Sequence, residues 1–194
     1  MPWEKQFDRQ QTLDRAVDAF WEAGYPGLSM AGLLERMGVG RGSFYDTYGS
    51  KRDLLIEALN RYCHGRGSDF ARLTASKPVR SAVRDFFEWV AESSMATMSE
   101  QSRRGCLAVN TAIELGPSDL EVAELVEAAF EAHQNAFAEL IRRGQESGEL
   151  SESLDAEEVA AALLALTLGM RVLARTGCES LVRESVAQAV RLLN

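Results

Sequence analysis

The stretch Ser29–Lys51, SMAGLLERMGVGRGSFYDTYGSK, constrains this chain more than any other, because its punctuation admits two short helices and a tight turn between them. Ser29 is a strong N-cap, whose hydroxyl accepts from a backbone N–H two or three residues on. Met30, Leu33, Leu34 and Met37 then recur at three- and four-residue spacing and form one apolar stripe. Gly38, just past the last periodic residue, suits the left-handed conformation that closes a helix, and Val39 supplies the apolar residue of the turn. A second helix is expected from about Arg41 to Tyr48. It has small residues at Gly42 and Ser43 and an apolar Phe44 for the core. Arg41, Ser43, Tyr45 and Thr47 remain for a partner that carries phosphates and base edges. Gly49 ends this helix, and Ser50 caps the next, which opens with Lys51 and Arg52.

The rest of the chain is written in the same period. Only four prolines interrupt 194 residues, 46% of them hydrophobic, so long helices run unbroken and an all-α fold is predicted. No apolar run approaches the ~20 residues of a membrane-spanning helix, and the N-terminal MPWEKQFDRQ has no signal-peptide core. A cytoplasmic protein with no membrane partner is expected. Cys63, Cys106 and Cys178 are odd in number and widely spaced, which indicates neither a disulfide framework nor a metal site. The net charge of −8 alone argues against a polyanionic partner. Up to Arg66, however, nine basic residues balance nine acidic ones, and the acidity belongs to the remainder. The local field of Arg41, Lys51 and Arg52, with Lys5 and Arg9, therefore matters more than the total.

Taken in order, a first helix is expected from about Lys5 to Ala23, its stripe formed by Phe7, Leu13, Ala16, Val17 and Phe20. After the two short helices another runs from Ser50 to about Tyr62, able to carry a rigid rotation along its length. Gly65, Gly67 and Ser68 suggest a loosened chain, which places a domain boundary at residue 66, with domains 1–66 and 67–194. Pro78 opens a segment with Val79, Val83, Phe86, Phe87, Val90 and Met98 as its apolar surface, and a shorter helix follows from Gly105 to Leu115. Ser118 is expected to cap a long helix reaching about Gly144. Asp155 caps a helix that is apolar on more than one side, rich in alanine and with Gly169 among its small residues. The last helix carries Leu181, Val182, Val186, Ala189, Val190 and Leu193. Two helices that need covering on a second face suit a homodimer interface over about 155–193, a four-helix bundle when paired; a monomer core is the plain alternative.

The order Gly38-Val39, Gly42-Ser43-Phe44-Tyr45, Tyr48-Gly49-Ser50-Lys51 and Asp53-Leu54-Leu55 resembles the DNA-binding signature of the tetracycline-repressor (TetR) family of bacterial regulators. An upstream helix with Ala16, Phe20 and Gly24-Tyr25 fits the same pattern. The resemblance covers about the first third of the chain, with the later Gly105-Cys106-Leu107 segment as further support. It implies a three-helix DNA-binding domain with a helix-turn-helix, followed by a larger helical domain for ligand binding and dimerisation. It further implies a ligand-responsive repressor of a palindromic operator on double-stranded DNA, bound as a homodimer and released by a small-molecule effector. No cofactor and no catalysis are implied.

The DNA-contact residues expected on this basis are Ser29, Arg41, Gly42, Ser43, Tyr45, Thr47, Tyr48 and Lys51, with Arg41 on a base edge and Tyr45 and Lys51 on phosphates. Asp46 departs from the residue type usual at its position, and a carboxylate beside phosphates is unfavourable unless it accepts from a cytosine amine or turns away. Candidate effector-pocket residues are Phe86, Trp89, Cys106, Asn110, Phe130 and His133, each of which also reads as ordinary core. A small helical enzyme finds little support, because His64 and His133 lie in different segments and no nucleophile or phosphate-loop motif accompanies them. An adaptor that keeps the fold without binding DNA is the other alternative, and Asp46 is its best witness.

Overall fold

The computed structural model describes residues 8–95 and 104–194, and among these it contains nine helices and no strand. Phe7, Lys5 and Met98 lie outside the described residues. Helix α1 spans Arg9–Ala23, capped by the Asp8 carboxylate, which accepts from the N–H groups of Gln10 and Gln11. Helices α2 (Met30–Met37) and α3 (Arg41–Tyr48) follow, and α4 runs Lys51–Thr74. The remaining five are α5 (Val79–Met95), α6 (Leu107–Leu115), α7 (Leu120–Glu146), α8 (Ala156–Thr176) and α9 (Glu179–Arg191).

Local chemistry sets most of these ends. Ser29 accepts from Gly32 N–H at 3.1 Å, Ser50 from Asp53 N–H at 3.0 Å, and Asp155 from the N–H groups of Glu157 and Glu158. Gly38 closes α2 at φ 70° and ψ 33°, a left-handed conformation that a Cβ would strain. The long helix α7 is capped by Asp119, which accepts from Val122 N–H at 3.2 Å, and not by Ser118. The Ser118 hydroxyl instead donates back to the Leu115 carbonyl. Helix α5 has no side-chain cap of its own. The Glu149 carboxylate, far along the chain, accepts from the N–H groups of Val79 and Arg80 at 2.6 and 2.8 Å, where a negative charge also complements the helix dipole.

Two apolar cores result. One gathers the first four helices around Ala16, Phe20, Leu33, Met37, Phe44, Leu54 and Leu59, and takes in Cys106, Leu107, Ala108 and Val126 from α6 and α7. The other joins α5, α7, α8 and α9. Helix α4 belongs to both, because it does not loosen at Gly65–Ser68 as its glycines suggest. Phe70, a turn further on, is buried edge-on between Phe86 and Phe137 at 5.0 and 4.9 Å, and Thr74 is buried behind it. A glycine inside a helix costs roughly 1 kcal/mol against alanine, and burying a phenylalanine offsets about two such residues. A boundary at residue 66 would therefore cut a continuous helix.

Candidate nucleic-acid interface and buried cavity

Helix α3 buries one face and offers the other. Phe44 is fully buried and Tyr48 is 3% exposed, their rings 5.7 Å apart, while Arg41, Gly42, Ser43, Tyr45 and Asp46 face solvent. Thr47 is half-buried. Nothing lies within 4 Å of the positions a Cβ would take at Gly40 and Gly42, so the backbone here is open to close approach. Tyr48 is thus a core residue rather than a surface contact, and burial raises its phenol pKa. Ser29 is exposed, but its oxygen is engaged as the α2 cap.

The cations of this head are mostly committed. Arg9 binds Glu57, Arg36 binds Glu22, Arg61 binds Asp14, Arg66 pairs with Asp69, and Arg15 donates to the Met37 carbonyl. The Lys51 ammonium donates to the carbonyls of Tyr25 and Leu28 at 2.6 and 2.5 Å and lies 4.3 Å from the Tyr25 ring centre. Burial lowers its pKa. Lys51, expected on a phosphate, thus has its ammonium engaged within the protein, where it ties the α1–α2 turn to the start of α4. Arg52 turns away from α3 altogether, bonding Asp119 at 2.7 and 2.8 Å and Glu121 at 2.8 Å. Among the described residues of the head, Arg41 is the one cation with neither an ion pair nor a hydrogen bond. Asp46 beside it also has no ion pair among the described residues.

Several contacts hold the head to the larger half. Tyr25 N–H donates to the Glu114 carboxylate of α6 at 2.9 Å. That carboxylate occupies the space a Cβ at Gly24 would need, 2.5 Å from its oxygen. The Trp21 indole donates to the Arg104 carbonyl at 3.1 Å, and the Arg104 guanidinium binds Asp18 and Glu22. With the Arg52–Asp119 pair, these contacts fix α1 and α4 to α6 and the start of α7.

Inside the junction of α4, α6, α7 and α8 lies a cavity of about 50 Å³, whose walls include Tyr62, Cys106, Phe130, His133 and Arg171. Cys63, Ala129 and His133 also border a larger groove of about 590 Å³ between α4 and α7. Burial raises the Tyr62 phenol and pushes the Cys63 thiol up to about 12, while it lowers His133 to about 4, with Arg171 adding to the effect. His133 is therefore neutral near pH 7. Of the six residues proposed from sequence, Cys106, Phe130 and His133 do line this cavity. Trp89 stacks beneath two guanidiniums, those of Arg66 at 5.2 Å and Arg171 at 5.9 Å. Phe86 instead sits in the aromatic core, 1% exposed. Asn110 braces a loop, donating to the Arg104 carbonyl and accepting from Arg175. Sequence reasoning missed Tyr62, Arg66 and Arg171. The last had a visible signal, as the only charged residue between Val159 and Ala174.

A helix-turn-helix head joined by one continuous helix to a larger helical body with an internal cavity is the build of a DNA-binding transcription regulator. The sequence assigns the particular family: residues 13–58 match the family model of bacterial regulatory proteins of the tetR family, and residues 78–191 match a tetracyclin repressor-like C-terminal domain, so the chain belongs to the TetR family. It is 37% identical over 148 residues to the HTH-type transcriptional regulator YezE of Bacillus subtilis (strain 168), covering 76% of this chain and 75% of that one. It is 27% identical over 175 residues to the HTH-type transcriptional repressor ComR of Escherichia coli (strain K12), covering 89% and 82% of the two chains. Among solved structures, a cysteine-substituted form of the TetR-family regulator CifR in complex with a 26-base-pair double-strand operator DNA superposes with a TM-score of 0.85 at 31% identity, over 98% of each chain.

Proposed function

We propose that this chain is a repressor that binds a palindromic operator as a homodimer and leaves it when a small molecule occupies the cavity between α4, α7 and α8. The observation that carries the DNA reading is the exposed face of α3, where Arg41 is the head's uncommitted cation among the described residues. In this reading Arg41 reaches a base edge, and Ser43, Tyr45 and Thr47 meet phosphate or sugar, with Gly42 allowing the approach. ComR, a repressor, and CifR, seen with operator DNA, supply the precedent.

The dimer reading rests on α8 and α9. Ala161, Ala165, Gly169 and Val172 leave an exposed stripe of small and apolar residues along α8, and Leu181 of α9 is 46% exposed. Small residues let helices approach to about 8–10 Å, and a second copy covers such a stripe in a four-helix bundle. Helix α8 is also long and apolar enough to cross a membrane, with a mean hydropathy of 1.5. Its Asp155 cap and its buried Leu163, Met170 and Arg171 suit a bundle helix instead, in a protein that works in the cytoplasm with the DNA.

The test is footprinting of the purified protein on the DNA upstream of its own gene, with the mass of the complex measured by light scattering. Two protected half-sites about 34 Å apart and two chains per site are expected. A folded protein that protects no DNA at low salt would instead be an adaptor that keeps the fold without the contact.

A further inference from the structure

The cavity contains an electrostatic imbalance that the described residues do not correct. Arg171 is 94% buried by its relative exposure of 6%, yet no carboxylate pairs with its guanidinium and no hydrogen bond engages it among the described residues. Its guanidinium lies 5.9 Å from the centre of the Trp89 ring and forms part of the cavity wall. Arg66 lies 5.2 Å from the same indole ring, its Nη2 paired with Asp69 and its Nε buried without a partner. His133 Nε2 is also buried and unpartnered, and among the described residues no aspartate or glutamate lines the cavity. A buried cation without counter-charge is strongly unfavourable, and in folded proteins such groups are paired or neutralised. Arginine stays protonated at any accessible pH, so neutralisation is closed to it.

We infer that the counter-charge is supplied by the effector, and that it is a monocarboxylate whose head enters the inner cavity at Arg171 while its apolar body lies in the groove between α4 and α7. This deepens the effector reading above and rests on it for its regulatory meaning. Shape and size favour a carboxylate over larger anions. The inner space, about 50 Å³, holds no more than a few waters or a small flat head group. A guanidinium presents parallel N–H donors that match the two oxygens of a carboxylate. Neutral His133 and the Thr167 hydroxyl stand at the same cavity. Thr167 already donates to the Leu163 carbonyl, so its oxygen remains an acceptor and not a second anion donor. The groove beyond, about 590 Å³, is walled by Phe70, Ala71, Leu125, Ala128, Ala132 and Ala136, with Asn60, His64 and Ser68 also on its border and no aspartate, glutamate, lysine or arginine among its described lining residues. An unbranched chain or a single ring fits that composition.

The experiment is calorimetric titration of the full-length protein with hexanoate and benzoate, each compared with its uncharged amide. Saturable binding of at least one acid is expected at one per chain, with its amide at least about tenfold weaker, the usual margin for a hydrogen bond to a charged group. Arg171→Met is expected to abolish that margin while leaving amide binding as it was; Arg171→Lys, which keeps the charge, retains part of it. Circular dichroism checks folding, and if Arg171→Met does not fold, Arg66→Gln is read in its place, with a several-fold loss of acid binding expected. Equal affinity for acid and amide, full acid binding by a folded Arg171→Met, or no saturable binding of either acid at about 10 mM overturns the inference. Operator affinity is measured separately by anisotropy. Acid binding without release of DNA upholds the ligand assignment and defeats the effector reading. Ligand-free protein that binds no operator defeats the proposed function whatever the acids do.

Discussion

Replacing Arg41 by alanine tests whether α3 is the reading helix, and its consequences can be worked from the charge inventory of the head. Every other described cation there is held by a carboxylate or a carbonyl, so Arg41→Ala removes free charge without breaking any contact within the protein. The melting temperature of the free protein should therefore not move. A bidentate contact to a base is worth about 1–3 kcal/mol, so two per dimer amount to about 2–6 kcal/mol, a loss in operator affinity of roughly 30-fold or more. If Arg41 instead neutralises a phosphate, the slope of log affinity against log salt becomes shallower by about 0.9 per contact, or about 2 for the dimer. Arg41→Lys separates the two cases, because it preserves the charge and loses the fork. A base contact predicts that lysine behaves like alanine on the operator and like arginine on unrelated DNA. The assay is fluorescence anisotropy with a labelled operator duplex over a salt series. Unchanged affinity and unchanged slope in Arg41→Ala would show that α3 does not read DNA.

Lys51→Met should lower the stability of the DNA-free protein by about 1 kcal/mol or more in urea titration, since it deprives two carbonyls of their donor; unaltered stability with lost DNA binding would restore Lys51 to the phosphate backbone. Gly38→Ala places a Cβ at φ 70°, 3.1 Å from Arg15 Nη1, and is expected to cost about 1–2 kcal/mol, seen as a melting point lower by several degrees. His133 titrates near 4 in the folded chain against 6.5 when unfolded, so below 6.5 the unfolded chain takes up a proton that the folded one refuses. Its share of stability is full above pH 6.5 and falls as the pH drops towards 4, by roughly 2 kcal/mol between pH 7 and 5. His133→Leu should flatten that part of the profile in denaturation at the two pH values, and an identical slope in the variant would contradict the assignment.

What the sequence made legible is what nearest neighbours along the chain decide. Ser29, Ser50 and Asp155 cap helices because a side-chain oxygen reaches an N–H two or three residues on, whatever else the chain does. Gly38 closes α2 for a reason equally local. Between Ser118 and Asp119 both residue types can cap, and Arg52, 67 residues away, is bonded to the one that does. The continuation of α4 through Gly65 and Gly67 was hidden in the same way, since Phe70 finds Phe86 and Phe137 only after folding. Lys51 shows the limit most sharply for the site. Its position suggests a phosphate contact, and only the spatial return of the Tyr25–Leu28 turn reveals two carbonyls within its reach. Arg171 could be singled out in its uncharged run, but its lack of a carboxylate partner among the described residues is a property of several helices together.

The same helix that concealed the domain boundary supplies the route from cavity to DNA in the proposed mechanism. Tyr62, Cys63 and Arg66 on α4 border the cavity, and Lys51 and Arg52 at its start hold the α1–α2 turn and Asp119. The fifteen residue steps from Lys51 to Arg66 span about 22 Å at the rise of an α-helix. A tilt of about 5° at the cavity end then displaces the head by roughly 2 Å, several times the latitude of a hydrogen bond to a base edge. Helix α6 acts on the same lever from its other side. The Cys106 thiol at its start lies 3.5 Å from the Tyr62 hydroxyl, and Glu114 near its end holds Tyr25 N–H. A ligand that draws Arg171 and α8 towards its carboxylate therefore pulls on a wall shared with both elements that fix the head. In a dimer the two heads move by the same operation in opposite senses, so the spacing of the half-sites is lost before either head has changed its own structure.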